Sequence, residues 1–181
     1  NQALKISPSA RRLWGEILRR VPGSRLVILG IADERARDRL AAEIVGDERD
    51  RVTVLPYVSL QDYFNGFNSV DIALDTMPYS GGTTACDALW MGVPVVTVPG
   101  TRPSSRSTAS VLTTAGLPEW IASTPEDYVQ LAVEKTRDVT QLGELRKSLR
   151  DRFRQSPLMD EKGFVRDLED AYRGVWRAWI Q

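Results

Sequence analysis

Residues 71–98 read DIALDTMPYSGGTTACDALWMGVPVVTV, and this order of apolar runs, glycines and prolines decides the fold. Ile72 and Leu74 give residues 71–75 the apolar core of a strand, which Pro78 with Gly81 and Gly82 stops. A helix is expected from about Thr83, with Gly92 as its natural stop and Pro94 barring continuation. Residues 93–98 then form a short β-branched strand. Glycines without a Cβ let a ligand approach the backbone, and the first N–H groups of the following helix point at an anion. The turn reads as a phosphate cradle. A plainer reading stands beside it, in which Thr84 and Asp87 form a capping box and Gly81-Gly82 is an ordinary turn. Two glycines and two threonines are more than a cap needs, and Asp87 falls in the first turn on the cap's side. A carboxylate there can accept hydrogen bonds from ribose hydroxyls beside the phosphates. Neither G-x-x-x-x-G-K-[ST] nor an early G-x-G-x-x-G occurs, so neither an ATPase P-loop nor a dinucleotide fingerprint is supported.

Upstream, Ser7-Pro8 is a good N-cap and N1 pair, followed by Leu13, Trp14, Ile17, Leu18 and Val21 at helical spacing until Pro22-Gly23. Residues 25–31 form a compact apolar strand. Asp33 caps a charged helix to about Val45, with Leu40, Ala41 and Ile44 on its inner face. Residues 52–55 are the next strand, and Ser59 opens a short helix containing Tyr63, Phe64 and Phe67. Downstream, a polar loop leads to a helix over residues 106–115 and a short last strand over 119–122. Strands alternating with helices predict an α/β fold, a Rossmann-like parallel sheet with helices on both faces, whose ligands bind beyond the carboxyl ends of the strands. The turns at residues 58–63 and 81–84 share that edge. Residues 1–124 are expected to form this lobe, and residues 125–181 a helical extension packed on it within a single domain. The extension's helices are placed at 125 onward, 139–154 and 162–180. The last carries Phe164, Leu168, Tyr172, Val175, Trp176 and Trp179, a stripe that reads as core, or as a face packed on a missing neighbour.

The bulk properties narrow the function. The chain's 181 residues suit one domain with a substantial core, and its 24 basic and 24 acidic residues cancel, so no overall field recruits nucleic acid or an acidic membrane. No apolar run approaches the roughly 20 residues needed to span a bilayer. Cys86 is the only cysteine, compatible with a reducing, cytoplasmic setting, and its helical position reads as a small buried thiol in preference to a nucleophile. With no histidine, and with Asp71 and Asp75 four apart in a strand, no metal site is expected. The chain opens at Asn1 with no signal-peptide pattern, which leads us to expect a piece of a longer protein.

Four blocks carry a resemblance that covers essentially the whole chain. They are Lys5-Ile-Ser-Pro8 before a Trp-containing helix, Asp71-Ile-Ala-Leu-Asp-Thr76, and Gly81-Gly-Thr-Thr-Ala-Cys-Asp-Ala-Leu-Trp-Met-Gly-Val-Pro94. The fourth runs from Ser105-Arg106 through Gly116-Leu117 and continues in Ser156-Pro157 and Leu168-Glu-Asp-Ala-Tyr172 to Trp176. The chain resembles the C-terminal catalytic half of the O-GlcNAc transferase and SPINDLY family, especially its bacterial tetratricopeptide-containing members. The third block is the specific one. The resemblance implies the nucleotide-binding lobe of a GT-B glycosyltransferase, which catalyses inverting, metal-independent transfer of a sugar to Ser or Thr of proteins. UDP-N-acetylglucosamine is the implied donor, with no cofactor and no metal. It further implies diphosphate contacts from Gln2 and Lys5 and from the backbone of Gly82, Thr83 and Thr84. Asp87 would bind the ribose, Val58 would hold the base through its backbone, and the Tyr63 ring would stack on it. Lys5 by itself reads as an ordinary surface lysine, so its role in stabilising the departing diphosphate rests on the resemblance. The protein acceptor is expected to be recognised by the preceding half and its helical repeats, and this lobe alone is expected to be catalytically silent.

The chain also departs from its relatives. Animal O-GlcNAc transferases carry His where this chain has Gly82, Lys at Leu60, His at Tyr63 and Arg at Gly66. These changes touch the base and ribose more than the diphosphate. Plant SPINDLY proteins, which use GDP-fucose, carry Glu where this chain has Asp87, which leans toward UDP-N-acetylglucosamine. GDP-fucose or UDP-glucose as donor remain rivals. A sugar-nucleotide-binding module without transfer activity and a non-hydrolysing sugar-nucleotide epimerase are rivals of another kind.

Overall fold

The computed structural model describes residues 3–180. Helix α1 (Pro8–Arg20) starts at Ser7, whose hydroxyl accepts the Ala10 N–H at 3.1 Å, while Pro8 supplies a preset φ in the first turn. Its Trp14, Ile17 and Leu18 turn into the core. Strands β1 (Leu26–Leu29) and β2 (Val52–Leu55) pair in parallel, Leu26 opposite Val52 and Leu29 opposite Leu55. The crossover between them is α2 (Glu34–Val45), capped by Asp33 Oδ1 on the Ala36 N–H at 2.7 Å. Leu40, Ala41 and Ile44 are its buried residues, as the helical spacing predicts.

A second unit repeats the arrangement. Helix α3 (Leu60–Gly66), capped by Ser59, leads to β3 (Ala73–Leu74), which runs parallel to β4 (Val95–Val96) with α4 (Thr83–Trp90) as crossover. These strands are shorter than the apolar runs suggested, but bonding extends past them: the Ala73 N–H donates to Pro94 O at 2.8 Å and the Asp75 N–H to Val96 O at 2.9 Å. Gly92, at φ +77°, ends the α4 crossover as expected. The strands form two two-stranded parallel sheets, β1-β2 and β3-β4.

The strand expected over residues 119–122 requires correction. Residues Pro118–Trp120 form a 3-10 turn, and the pairing shrinks to one parallel bridge between Thr97 and Ile121. Pro118 fixes φ at the start of that turn, and the turn lets the Trp120 ring sink to 2% exposure. Helix α5 (Ser107–Thr114) precedes it.

After Ile121 the chain is helical. Helix α6 (Pro125–Lys135), capped by Thr124, lies on α1, and α7 (Val139–Arg154) lies on α4. Tyr128 of α6 and Leu149 of α7 are fully buried. Helix α8 (Glu161–Trp179) differs: none of its residues is buried, and Trp176 and Trp179 are 60% and 76% exposed. The core reading of its stripe is therefore wrong. Periodicity identifies an apolar face, not the surface that covers it. Among the described residues no helix is long and apolar enough to cross a membrane.

Candidate nucleotide site

The site is built around one buried carboxylate. Asp75, 4% exposed at the end of β3, accepts the Thr76 N–H at 2.9 Å and the Gly81 N–H at 2.7 Å on Oδ1. Its Oδ2 accepts the Thr97 hydroxyl at 2.7 Å from just beyond β4. The segment between those two amides thus loops back on a single side chain. Within it the Met77-Pro78 peptide is cis, the Thr76 hydroxyl donates to Tyr79 O at 2.8 Å, and the Ser80 N–H donates to Ser104 O at 3.0 Å. From below, the buried Tyr128 hydroxyl donates to Asp75 O at 3.0 Å and is itself held by Trp14 Nε1–H at 3.1 Å.

Burial pushes the Asp75 carboxyl above its ordinary value of 3.8, against the lowering effect of hydrogen bonds from Thr97, Gly81 and Thr76. The folded chain then binds this proton more tightly than the unfolded chain. The stability it contributes is complete below about pH 4 and declines as pH rises through the folded value. Asp75→Asn removes the titration, so the native chain's stability relative to that variant is expected to fall as pH rises above about 4. Urea titrations of both chains across that range check this; a constant gap would contradict it.

The two glycines of the turn do different work. A Cβ on Gly81 would lie 2.9 Å from Thr84 Oγ1, 3.1 Å from Asp75 Oδ1 and 3.2 Å from Thr108 Oγ1, so Gly81 permits close packing around the carboxylate. A Cβ on Gly82 would meet nothing within 4 Å. Gly82 is also the N-cap of α4 and makes no side-chain capping bond, which corrects the capping-box reading: Thr84 lies inside the helix, not at its cap. The positive end of the α4 dipole thus opens at Thr83 beneath an uncrowded glycine.

Lys5, Tyr79, Ser80, Gly81, Gly82, Thr83, Thr84 and Ser107 line one pocket of about 240 Å³. Lys5 Nζ donates to Ser80 O at 3.4 Å and sits 4.3 Å from the centre of the Tyr79 ring, so the ammonium is held at the pocket wall. Among the described residues, the lining includes a lysine and no carboxylate. The fold brings together Lys5, Gly81, Gly82, Thr83 and Thr84, five of the residues singled out in the sequence. Tyr79, Ser80 and Ser107 join them without having been anticipated. Asp87 lies one turn into α4, on the helix face shared with Thr83 and Thr84. The Tyr63 hydroxyl donates to Asp87 Oδ2 at 2.9 Å. Val58, 39% exposed, lies in the turn before α3 and is not among the pocket's lining. Gln2 falls outside the described residues. Cys86 is half-buried, and burial together with the Asp87 carboxylate pushes its thiol pKa up, which favours the unreactive protonated form.

Residues 1–168 match glycosyl transferase family 41. The chain belongs to that family. The SPINDLY protein of Hordeum vulgare, named a probable UDP-N-acetylglucosamine–peptide N-acetylglucosaminyltransferase, is 40% identical over 184 residues, covering 99% of this chain and 20% of its own length. The UDP-N-acetylglucosamine–peptide N-acetylglucosaminyltransferase of Caenorhabditis elegans is 31% identical over 182 residues, 99% of this chain and 16% of that protein. Among solved structures, a mutant of the Thermobaculum terrenum O-GlcNAc transferase superposes with a TM-score of 0.88 at 39% identity, covering 96% of this chain and 34% of the other. The α/β lobe with parallel strands is thus the fold of part of a family 41 transferase. The chain spans about a fifth of the length of the curated relatives it matches.

Proposed function

We propose that the pocket holds the diphosphate of a nucleotide-sugar donor, UDP-N-acetylglucosamine, for inverting, metal-independent transfer of the sugar to Ser or Thr hydroxyls of proteins. The observation that carries this reading is the meeting of Lys5, the open side of Gly82 and the start of α4 in one pocket. In such a transfer the acceptor oxygen bonds to the anomeric carbon as the bond from that carbon to the β-phosphate oxygen breaks. Negative charge grows on the departing diphosphate, where the Lys5 ammonium and the helix dipole offset it. Gly82, Thr83 and Thr84 present backbone to the phosphates and Asp87 takes the ribose, while a diphosphate contact from Gln2 rests on the family resemblance alone. Val58 and Tyr63 serve the base.

The acceptor hydroxyl must also lose a proton. The chain has no histidine, and among the described residues the pocket lining has no carboxylate, which supports a lobe that supplies donor binding and leaving-group stabilisation. The protein acceptor is recognised by the remainder of a longer transferase, including its helical repeats. Residues 125–181 extend the nucleotide lobe of residues 1–124, with α6 and α7 bracing it through α1 and α4. A lone cysteine fits a reducing, cytoplasmic setting.

Titration calorimetry of the chain with UDP and GDP tests the site, with UDP expected to bind more tightly. Asp87→Ala is expected to weaken UDP binding by about ten- to a hundred-fold, the range for losing a charge-assisted hydrogen bond, with little change in Tm. Failure of both nucleotides to bind would remove the reading, and tighter binding of GDP would replace the donor with a guanine nucleotide sugar.

A further inference from the structure

We propose that Tyr63 is a positioning residue for ribose recognition, its hydroxyl holding the Asp87 carboxylate in place to accept from the ribose hydroxyls of the bound nucleotide. This rests on the nucleotide reading above and assigns the phenol a task separate from contact with the base. The bond joins two elements 24 residues apart, from Tyr63 in α3 to Asp87 Oδ2 in α4, at 2.9 Å. Core packing does not require it, because α3 has no buried residue. The Tyr63 ring is fixed in direction by edge contacts to Phe64 at 5.1 Å and Phe67 at 5.2 Å, so little side-chain freedom is left to lose when a ligand binds.

A restraint on Asp87 answers an electrostatic problem. Thr83 and Thr84, on the same helix face as Asp87, line the pocket assigned to the diphosphate. A carboxylate beside bound phosphates is repelled by them, and an unrestrained side chain would rotate away from the ribose. A phenol donating to one oxygen opposes that rotation and spreads the negative charge. A carboxylate has about four acceptor positions, so a single bond to Oδ2 leaves capacity for a ligand hydroxyl. The phenol is a dependable donor: burial, then its bond to Asp87 and that residue's charge, push its pKa up, so it stays protonated across the physiological range.

The test compares ribose-bearing and ribose-deleted probes. Dissociation constants would be measured by calorimetry for UDP, GDP and their 2′,3′-dideoxy analogues, on the native chain, Tyr63→Phe, Asp87→Asn and the double variant. Phe keeps the ring and its packing and removes only the hydroxyl. Tyr63→Phe is expected to weaken the ribonucleotide by about ten-fold and to leave its dideoxy analogue within about two-fold. In the Asp87→Asn background the same change should have no further effect, since the carboxylate it positions is gone. Equal losses for both probes, or an undiminished loss in the Asp87→Asn background, would mark Tyr63 as merely structural and overturn the proposal. Failure of the native chain to bind any of the four nucleotides would instead remove the nucleotide reading, and this inference with it.

Discussion

Replacing Lys5 with Gln is expected to lower the rate of sugar transfer by the complete transferase by about 10²–10³-fold, the usual effect of removing one group that stabilises charge developing in a transition state. Gln keeps part of the side chain and its hydrogen-bonding capacity but removes the positive charge that sits over the Tyr79 ring. The native ammonium is already at the pocket wall, 3.4 Å from Ser80 O, so little reorganisation separates it from a bound diphosphate. The charge it faces grows as the nucleotide departs, so kcat should fall far more than KM rises. Steady-state kinetics with UDP-N-acetylglucosamine and a Ser/Thr-rich protein acceptor measure both constants. An unchanged kcat would contradict the role given to Lys5. The 181-residue chain by itself should transfer no sugar, and transfer by it alone would overturn the division of labour proposed above.

The second large effect separates two adjacent glycines. Gly82→Val should reduce nucleotide affinity by more than about 100-fold, roughly 2.7 kcal/mol, while leaving Tm almost unchanged. The new side chain meets no protein atom within 4 Å of its Cβ. It projects instead into the space assigned to the ligand. Gly81→Val should do the reverse in kind. Its Cβ would press on Asp75 Oδ1 at 3.1 Å, a buried atom already holding two amides, and overpacking of this sort costs about 1–3 kcal/mol. Thermal melts and calorimetry on the two variants separate the outcomes. A destabilised Gly82→Val chain, or a Gly82→Val chain that still binds nucleotide tightly, would contradict the geometry.

Local signals were the legible ones. The caps at Ser7, Asp33 and Ser59 each satisfy an N–H three residues on, so the information lies within one turn of chain. The strand–turn–helix at residues 71–98 was readable for the same reason, because glycine, proline and apolar spacing act over a few residues. What was not readable depends on distant partners. Asp75 showed only as an acid closing an apolar run; its function needs Thr97 and Gly81 to converge on it. Lys5 lies 75 residues from Ser80, and no spacing rule links them, so only resemblance could single it out. Tyr63 and Asp87 were each picked out, but not their bond, which spans two helices. Tyr79, Ser80 and Ser107 are ordinary loop and helix-end residues until the fold gathers them around one pocket. The α8 stripe marks the opposite limit: an apolar face was evident, its exposure was not.

The most direct measurement is a crystal structure of the chain with UDP bound. The account predicts diphosphate oxygens within about 3 Å of the backbone N–H groups at the start of α4 and of Lys5 Nζ, with a ribose hydroxyl at hydrogen-bonding distance from Asp87. A diphosphate bound elsewhere, with the turn of Gly81 and Gly82 left empty, would contradict it.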